Sequence, residues 1–494
     1  MNSKRLVLPL ILVAFLPLSS CSGLKSGCST NCGGGNATLS VTLYDTPPTG
    51  LNLLSFTLPI AGISLTPSSG SAVNVTTAVS SVEATRLQTD SALIADAVSV
   101  AAGSYTGLTV TLGPTSATSN VFINTSSSTI TWTTGSGGSC ASGAVCFLPA
   151  GAVFSVPVSL SLTLTANQSQ WIGLDLNLSK AITTSGGLNV DFSQTGVLTA
   201  ITTPRTGLPT GAADTVEDFT GVVTAYTSGS SITVQSGISS QKITFVLNSN
   251  TEYDTSPNGS SYTGCTAATA QSCIAVGSTV SVDSSLASSG TLTATEVDVL
   301  DAKAVDEVEG VIYPTSNAGV FGLILADKVS ASGNAVLAAS TTSWGTAFFL
   351  TVSGVSIFAT DTKTLTSQFT PVGFSSTADL FAGQQVRVQL SNITSTSTGI
   401  TATANNMLLR FSRMSGSPSN IAASSFNFTP PAYVTLINTT LPAAPLAYTY
   451  TSTAFDGITG TGDPNFTSGS TAAIRALFVN NTTPYFAVAK VRVP

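Results

Sequence analysis

Short runs in which apolar and polar residues alternate dominate this chain, and they favour β-strands over helices. The clearest runs are residues 37–44, 105–112, 153–164 and 171–178. A period of two places one set of side chains on each face of a strand, and the Gly, Ser, Asn and Pro residues between the runs are typical of turns. Only residues 79–98 lean towards a helix, and Ser and Thr interrupt them. The sequence therefore predicts an all-β fold.

Charge is scarce in this chain, and its balance excludes several classes of function. Charged residues make up 8% of the chain, against about 25% in an average soluble domain. The 16 Lys and Arg residues are outnumbered by 23 acids, so nucleic acid is not expected as a partner. No histidine occurs, which excludes Ser-His-Asp and Cys-His catalytic sites and imidazole metal centres. We expect no cofactor and no bound metal.

Residues 1–20 have the pattern of an export signal. Lys4 and Arg5 precede an apolar run over residues 6–18, which is shorter than the roughly 20 residues of a membrane-spanning helix. The run ends in Leu18-Ser19-Ser20-Cys21, which resembles the lipobox of bacterial lipoproteins. That resemblance implies cleavage before Cys21 and lipid modification of its thiol. The alternative is an ordinary secretory signal with an incidental cysteine.

The same resemblance implies a location. Ser22 follows the cysteine, in place of the aspartate that is associated with retention of lipoproteins in the inner membrane. We therefore expect a protein of the outer membrane or cell surface whose partner, through the lipid anchor, is the membrane. Residues 21–36 are rich in Gly and Ser, which predicts a flexible tether between the anchor and the folded chain.

The other six cysteines fall into three local couples, each in a stretch of small residues. They are Cys28 with Cys32, Cys140 with Cys146, and Cys265 with Cys273. In an exported chain this pattern favours small disulfide-closed loops, so we expect Cys140–Cys146 and Cys265–Cys273, with Cys28–Cys32 as a third candidate. Zinc binding is the competing interpretation, although these spacings without histidine fit a four-ligand site poorly.

Three motifs follow one another within residues 37–200. They are Leu43-Tyr44-Asp45-Thr46-Pro47, Ala102-Gly103-Ser104-Tyr105-Thr106 and Leu174-Asp175-Leu176-Asn177. In this order they resemble a bacterial lipoprotein domain of unknown function, whose hallmarks are T-D-A-P, P-A-G-x-Y and D-L-N-x-S. The first hallmark is altered here to Y-D-T-P, and the second has Ala for Pro. The resemblance implies a β-sandwich, of immunoglobulin or transthyretin type, and an envelope location; it implies no activity.

An internal repeat occupies the second half of the chain. An opening strand at 217–223 (EDFTGVV) matches residues 306–312 (DEVEGVI). A closing pair of strands that starts at Gly277 recurs at Gly383 and at Gly469. The repeat resembles a second bacterial domain of unknown function, a small barrel-like module that often occurs in tandem in exported proteins.

These patterns predict the domain boundaries. Residues 201–215 contain two Pro-containing turns and predict a linker. We expect β-modules at residues 216–303 and 304–413. Residues 414–494 are expected to hold a further linker and a partial third module, because no clear opening strand follows there. The predicted architecture is a sandwich followed by two to three barrel-like modules.

The densest group of acids lies between the first two modules. Its members are Glu296, Asp298, Asp301, Asp306, Glu307 and Glu309. A calcium site is one interpretation, since hard cations bind carboxylate oxygens. We favour another, in which Glu296 and Asp298 share the solvated face of a strand and the remaining acids lie at a module junction, because the spacing does not match a calcium-binding loop.

The sequence predicts a non-enzymatic scaffold or interaction protein of the cell envelope that binds a glycan or a partner protein. The alternative is a carbohydrate-active hydrolase that uses a carboxylate pair. No motif marks such a pair. Acids that face one cleft would favour the hydrolase, whereas acids scattered over separate surfaces would favour the scaffold.

Overall fold

Strands dominate the structure, a computed structural model. It describes residues 34–46, 53–114, 120–123, 129–132, 138–139, 145–147, 153–183, 188–255, 262–359, 374, 376–431, 434, 441–480 and 483–494. The described helices are single turns: Leu178–Ala181 (α1), Ala270–Cys273 (α2) and Ala335–Ala338 (α3), with 3-10 segments at Ala84–Gln88, Ala267–Thr269 and Thr377–Asp379. The predicted all-β class is confirmed. None of the described helices has the length and apolar character to cross a membrane.

The first domain packs two main sheets around one apolar core. Its strands are β1 (Asn36–Thr46), β2 (Leu53–Pro67), β3 (Val73–Val75), β4 (Ser81–Glu83), β5 (Ala92–Ala101), β6 (Gly103–Leu112), β7 (Asn120–Ile123), β8 (Thr129–Trp132), β9 (Gly138–Ser139), β10 (Val145–Phe147), β11 (Phe154–Leu164), β12 (Ser169–Asn177), β13 (Ile182–Thr183), β14 (Leu188–Val190) and β15 (Leu198–Ile201). One sheet has the order β15-β12-β1-β5, and the other has the order β10-β7-β2-β6-β11 with β3 and β4 also on β2. Val41 and Leu174 of the first sheet share the core with Leu65 and Val110 of the second.

A parallel pairing of β1 with β12 brings the first and third sequence motifs of this domain together. The hydroxyl of Thr46 donates to Oδ2 of Asp175 at 2.6 Å. Asp45 is completely buried, and its Oδ1 accepts a hydrogen bond from the backbone N–H of Leu178 at 3.0 Å. Burial raises the pKa of Asp45 well above its usual range. The motif therefore joins the end of β1 to the start of α1.

Three β-barrels follow the sandwich. The first contains β16 (Ala212–Thr227), β17 (Ser231–Gln235), β18 (Lys242–Val246), β19 (Glu252–Asp254), β20 (Thr279–Ala287) and β21 (Leu292–Asp301). The second contains β22 (Glu307–Pro314), β23 (Val320–Val329), β24 (Ala347–Thr351), β25 (Ser356–Ala359), β26 (Gln385–Thr396) and β27 (Gly399–Leu409). The third contains β28 (Ser412–Ser419), β29 (Ser425–Thr429), β30 (Leu446–Asp456), β31 (Ala472–Val479) and β32 (Tyr485–Arg492).

The three barrels share one connectivity. If the five barrel strands are called a to e in chain order, they close in the circular order c-b-a-d-e in each barrel, and β19 and β25 lie outside the closed set. The closing contact between c and e is parallel in every case, and the other contacts are antiparallel. This is the arrangement of a five-stranded Greek-key barrel of the OB type. The repeat seen in the sequence therefore corresponds to three barrels with the same strand connectivity.

A glycine occupies the same position in each opening strand. It is Gly221 in β16, Gly310 in β22 and Gly416 in β28. A Cβ atom placed on these glycines would lie only 2.2, 2.1 and 2.1 Å from a carbonyl oxygen of the neighbouring strand. No other residue fits so close an approach, so the glycine marks where strand a bends around the barrel.

The third barrel differs from the prediction. It is a closed barrel, and the stretch at the start of residues 414–494 that was expected to be a linker contains most of β28 and all of β29. The reason is that β28 (SRMSGSPS) lacks apolar alternation and includes Pro418. Its first four residues are nevertheless buried, because other domains cover this strand.

The segment predicted as a linker at residues 201–215 is also more structured than expected. Strand β16 begins within it, at Ala212. A Cβ atom on Gly207 would lie 2.3 Å from the carbonyl oxygen of Phe455, so the segment packs tightly against the third barrel. The side chain of Arg205 is only 12% exposed. The segment thus connects the domains through contacts rather than as a free spacer.

Candidate functional site

The scarce charged residues gather where the sandwich and the three barrels meet. Buried basic residues at or near this meeting point are Arg387, Arg410, Arg413, Arg475, Lys490 and Arg492. Buried acids there include Asp90, Asp214, Asp218, Glu307, Glu309 and Asp456. We call this set of residues, together with Glu217 and Asp283, the charged junction. Buried charges are tolerated only when they are paired and hydrogen-bonded, and most of the ion pairs described below link different domains.

Asp218 of the first barrel lies at the centre of the charged junction. Its carboxylate is 3.0 Å from Nη2 of Arg410, 2.6 Å from Nη2 of Arg413 and 3.2 Å from Nη1 of Arg475. Arg410 follows β27 of the second barrel, whereas the other two arginines belong to the third. Burial opposes ionisation, but the three arginines outweigh it and hold the pKa of Asp218 far below its usual range. One carboxylate thus connects all three barrels.

The backbone explains how Asp218 reaches these partners. The register between β16 and β20 shifts between Val216 and Phe219, and Asp218 has a φ of 49°. Such a bulge redirects a side chain, and Asp is among the few residues that enter the left-handed region without large strain. The N–H of Asp218 donates to Oδ1 of Asp283 at 2.5 Å, which fixes the bulge to β20.

The sandwich joins the charged junction through its 3-10 segment. Nη2 of Arg413 lies 2.6 Å from Oδ2 of Asp90 as well as from Asp218. Nη1 of Arg492 donates to the backbone oxygens of Leu87 and Asp90, each at 2.9 Å. Nη2 of Arg86 donates to the backbone oxygen of Asp218 at 2.7 Å. The first domain is therefore connected to the first and third barrels by charged side chains.

A second acid, Asp456 of the third barrel, pairs with basic residues of the segment before β16 and of the last strand. It accepts from Nε of Arg205 at 2.6 Å and from Nε of Arg492 at 2.8 Å, and Nζ of Lys490 lies 3.6 Å away. Burial opposes ionisation, but these cations hold the pKa of Asp456 far below its usual range. The guanidinium of Arg205 also stacks over the ring of Tyr44, 3.9 Å from its centroid. The Y-D-T-P motif of the sandwich thus borders the charged junction.

The second barrel carries a related ion cluster. Arg387 is fully buried, with its Nε 2.7 Å from Glu307 and its Nη1 3.1 Å from Glu309. The hydroxyl of Tyr262, from the first barrel, donates to Glu307 at 3.1 Å. Burial opposes ionisation of Glu309, but Arg410 and Arg387 hold its pKa below the usual range. Burial raises the pKa of Asp327, beside Arg387, to about 6.

The acidic group at residues 296–309 is therefore divided among several partners. Glu307 and Glu309 are buried in the ion cluster of Arg387, as the junction interpretation expects. The solvated face is only part of the account, because Asp298 lies 3.6 Å from Nη1 of Arg410. Burial raises the pKa of Asp301 to about 7. Within the described part of the chain, no group of three or more acids or cysteines is arranged to hold a metal ion.

A cavity of about 290 Å³ lies beside the charged junction, between the first and third barrels. Its charged lining consists of Glu217, Glu252, Asp283, Glu296, Asp456, Arg475 and Lys490. Apolar side chains of the third barrel, among them Phe455 and Val488, complete the wall. Apolar walls with a few convergent polar groups are typical of small-molecule sites, so this cavity is the candidate binding site.

The pKa values of two acids of the cavity are shifted in opposite directions. Glu217 is 2.7 Å from Nζ of Lys490 and 3.2 Å from Nη1 of Arg475, and these cations outweigh burial and lower its pKa. Asp283 is 2.9 Å from Nη2 of Arg475, yet burial raises its pKa, and the nearby Asp218 and Glu217 add to the rise. Acids whose pKa values are pushed apart are one signature of a functional site.

One of the three predicted cysteine pairs lies within the described residues. The sulfur atoms of Cys265 and Cys273 are 2.22 Å apart, as in a disulfide, so the structure contains the local pair expected there. Cys21, Cys28, Cys32 and Cys140 lie outside the described residues, as does the side chain of Cys146. Lipidation of Cys21 and the pairs Cys140–Cys146 and Cys28–Cys32 remain predictions.

Comparison with known proteins identifies one part of the chain. The model of a family described as a domain of unknown function, DUF5666, matches residues 220–298. These residues fall within the first barrel, from β16 to β21. No curated protein matches the chain. The match supports the resemblance of the repeat to a domain of unknown function, and it assigns no activity.

Sequence reasoning missed the charged junction, although one signal was present. Asp218, Glu307 and Arg413 each lie three residues before the glycine of an opening strand. All three copies of the repeat carry a charged residue at this position. The partners of these residues come from distant parts of the chain, so the sequence shows the positions but not the pairing.

Proposed function

We propose that this chain is an exported, lipid-anchored protein of the cell envelope that acts as a non-enzymatic binding scaffold. The observation that carries the proposal is the charged junction, which ties four β-domains together through buried ion pairs. An assembly whose domains are held in fixed relative positions presents a rigid surface and an inter-domain cavity to a ligand. The lipobox-like Leu18-Ser19-Ser20-Cys21 and the disulfide Cys265–Cys273 support an address outside the cytoplasm.

The chemistry of the charged junction supports a structural role for its acids. Asp218 and Asp456 are kept ionised by arginines, and a carboxylate in that state has no proton to donate. Each is also fully engaged with side chains of other strands. These acids stabilise the contacts between domains, and the accessible part of the cavity remains available for binding.

The address is tested by mass analysis of the full chain expressed in a bacterial host. We expect membrane-bound protein that begins at Cys21 and carries acyl chains, and a Cys21→Ser variant that is released from the membrane. An intact chain that retains residues 1–20 and stays soluble in the cell interior would overturn the address. The binding role is tested with residues 37–494 on a glycan array, where a hydrolysed product in place of a retained ligand would contradict it.

A hydrolase is the second candidate, and one observation favours it. Glu217 and Asp283 line a single cavity, and their pKa values are shifted in opposite directions, as in an acid and base pair. Against this, Arg475 binds both carboxylates. The two candidates are separated by incubation with a set of chromogenic glycosides. Turnover that disappears in both Glu217→Gln and Asp283→Asn would establish the hydrolase, whereas we expect no turnover.

A further inference from the structure

A second cavity, of about 610 Å³, lies between the first and second barrels. One side is formed by residues 235–238, at the end of β17 and in the turn after it, and the other by residues 328–331 and the segment 337–343. Many of the lining residues carry hydroxyl groups, among them Ser236, Ser330 and Ser340. We call this space the Lys328 cavity, after the one charged residue in its described lining.

A close contact between the two barrels fixes the walls of the Lys328 cavity. The backbone N–H of Gly237 donates to Oδ1 of Asp327 at 3.1 Å, and the N–H of Lys328 donates to the same oxygen at 2.8 Å. A Cβ atom placed on Gly237 would overlap the carbonyl oxygen of Lys328, so only glycine permits this approach. The cavity is therefore formed before any ligand enters, which lowers the cost of binding.

The charge of Lys328 is not neutralised by the chain. The residue is 8% exposed, and its Nζ donates to the backbone oxygens of Ala339 and Thr342 at 2.8 and 2.6 Å. Burial lowers the pKa of Lys328, and the opposing effect of the neighbouring Asp327 is smaller. Among the described residues, Lys328 is the one buried cation that forms no ion pair with an acid. Buried charges are costly unless they are paired.

Two donors that face this cavity also lack acceptors. An ammonium group has three N–H donors, and only two of those on Lys328 have acceptors in the described part of the chain. Ser330 lies two positions further along and lines the same cavity. Its Oγ is buried and has no hydrogen-bond partner among the described residues. A buried donor without a partner is unfavourable, so both groups suit a ligand that supplies oxygen acceptors and a negative charge.

We propose that the Lys328 cavity binds a sugar acid, with the carboxylate on the ammonium group of Lys328 and the hydroxyl groups on Ser330 and the other Ser and Thr residues of the lining. The carboxylate would neutralise Lys328, which a neutral sugar would leave unpaired. A cation would be repelled. The volume of the cavity is within the range of small-molecule sites, about 300–1,000 Å³. This inference rests on the binding role proposed above and names a class of ligand for it.

The proposal is tested by isothermal titration of the full chain with sodium glucuronate, glucose and sodium acetate at matched ionic strength. We expect saturable binding of glucuronate at one site. Glucose keeps the ring and most of the hydroxyl groups but lacks the charge, and acetate keeps only the charge, so each should bind at least tenfold more weakly. Equal binding of glucose and glucuronate, or no binding of glucuronate, would overturn the proposal.

Matched variants locate the site. Lys328→Met removes the charge and should weaken glucuronate binding at least tenfold. Lys180→Met makes the same change at an exposed position on α1 of the sandwich and should leave the affinity unchanged. Equal losses in these two variants would show non-specific attraction to the protein and would contradict the site.

Ser330→Ala keeps the proposal testable if Lys328→Met fails to fold. It removes a hydroxyl group that has no partner among the described residues, so the thermal midpoint should not fall, while glucuronate binding should weaken severalfold. Full affinity in either Lys328→Met or Ser330→Ala would overturn the proposal. Retention of the chain on the glycan array together with a failure of glucuronate to bind would overturn this inference alone, and the envelope address is tested separately by the acyl mass on Cys21.

Discussion

Asp218 and Arg413 occupy the same position in the first and third barrels, and they bind each other at 2.6 Å. Each lies three residues before the glycine at which its opening strand bends. In the second barrel the same position holds Glu307, which pairs with Arg387 of its own barrel. One position of a repeated β-module therefore carries an acid in the first two copies and an arginine in the third. This difference turns three similar barrels into parts of one assembly.

The opening-strand glycine gives the first prediction. Gly416→Ala would place a Cβ atom 2.1 Å from the carbonyl oxygen of Thr429. Because backbone and not a flexible side chain stands in the way, we expect a loss of at least 1–3 kcal/mol in the free energy of unfolding, on the order found for overpacked cores. Urea unfolding measures the loss. Gly62→Ala in the sandwich is the matched control and should change the stability little. Apart from the adjacent residues of the chain, no atom lies within 4 Å of a Cβ atom placed there. Equal stability of the two variants would argue against the closed third barrel.

Acid should destabilise the protein through the charged junction. The pKa values of Asp218, Glu217 and Asp456 are lowered in the folded state, mainly by paired cations that outweigh burial. Their contribution to stability is fully present above the unfolded pKa of about 4 and is lost as the pH falls below it. We expect the urea midpoint to drop steeply between about pH 4 and pH 2. A midpoint that is flat over this range would contradict the ion pairs.

Asp301 should make the protein less stable as the pH rises, which is opposite to the effect of the three acids above. Burial raises its pKa to about 7, so the unfolded chain ionises between pH 4 and pH 7 while the folded chain holds its proton. The contribution of Asp301 is therefore present at low pH and lost as the pH rises towards 7. Asp301→Asn removes this titration, and its stability should vary less between pH 5 and pH 7 than that of the unchanged protein. A parallel pair of stability curves would show that Asp301 ionises normally.

The disulfide Cys265–Cys273 should stabilise the first barrel. It closes a short loop that contains α2, and Cys265 packs in the core of that barrel. The double variant Cys265→Ser and Cys273→Ser should lose about 2–4 kcal/mol in the free energy of unfolding. Reductant should lower the stability of the unchanged protein and leave that of the variant as it is. Free thiols at both positions in protein purified without reductant would rule out the bond.

The fold was accessible from the sequence where local pattern decides structure. The alternating run at residues 153–164 predicts a strand, and in β11 Phe154 and Val156 are buried while Ser155 and Pro157 are exposed, because the two faces of the strand meet different surroundings. The same logic fails for β28. Its residues Arg413 and Ser415 are buried against the sandwich and the first barrel, so polar residues occupy an interior face. Tertiary contacts override the pattern at that strand.

The candidate site was beyond sequence reasoning for a related reason. Asp218 and Arg413 are 195 residues apart, and Arg387 is 80 residues from Glu307. A single sequence shows each charge with its local neighbours only, and Glu307 and Glu309 therefore resembled part of a local acidic group. The cavity has the same origin, because its two walls come from the first and third barrels. What the sequence does offer is the repeated position before the glycine, once the topology is known.

The central claim is that the charged junction holds the sandwich and the barrels together, and hydrogen exchange of Asp218→Asn tests it most directly. Arg410, Arg413 and Arg475 would lose the carboxylate they share, so the account predicts faster exchange in Ala84–Gln88, in β28 and in β31 as well as in β16. The variant Asp96→Asn, at an exposed position on β5 of the sandwich, should exchange like the unchanged protein. Faster exchange confined to β16 and its neighbours in the first barrel would contradict the claim.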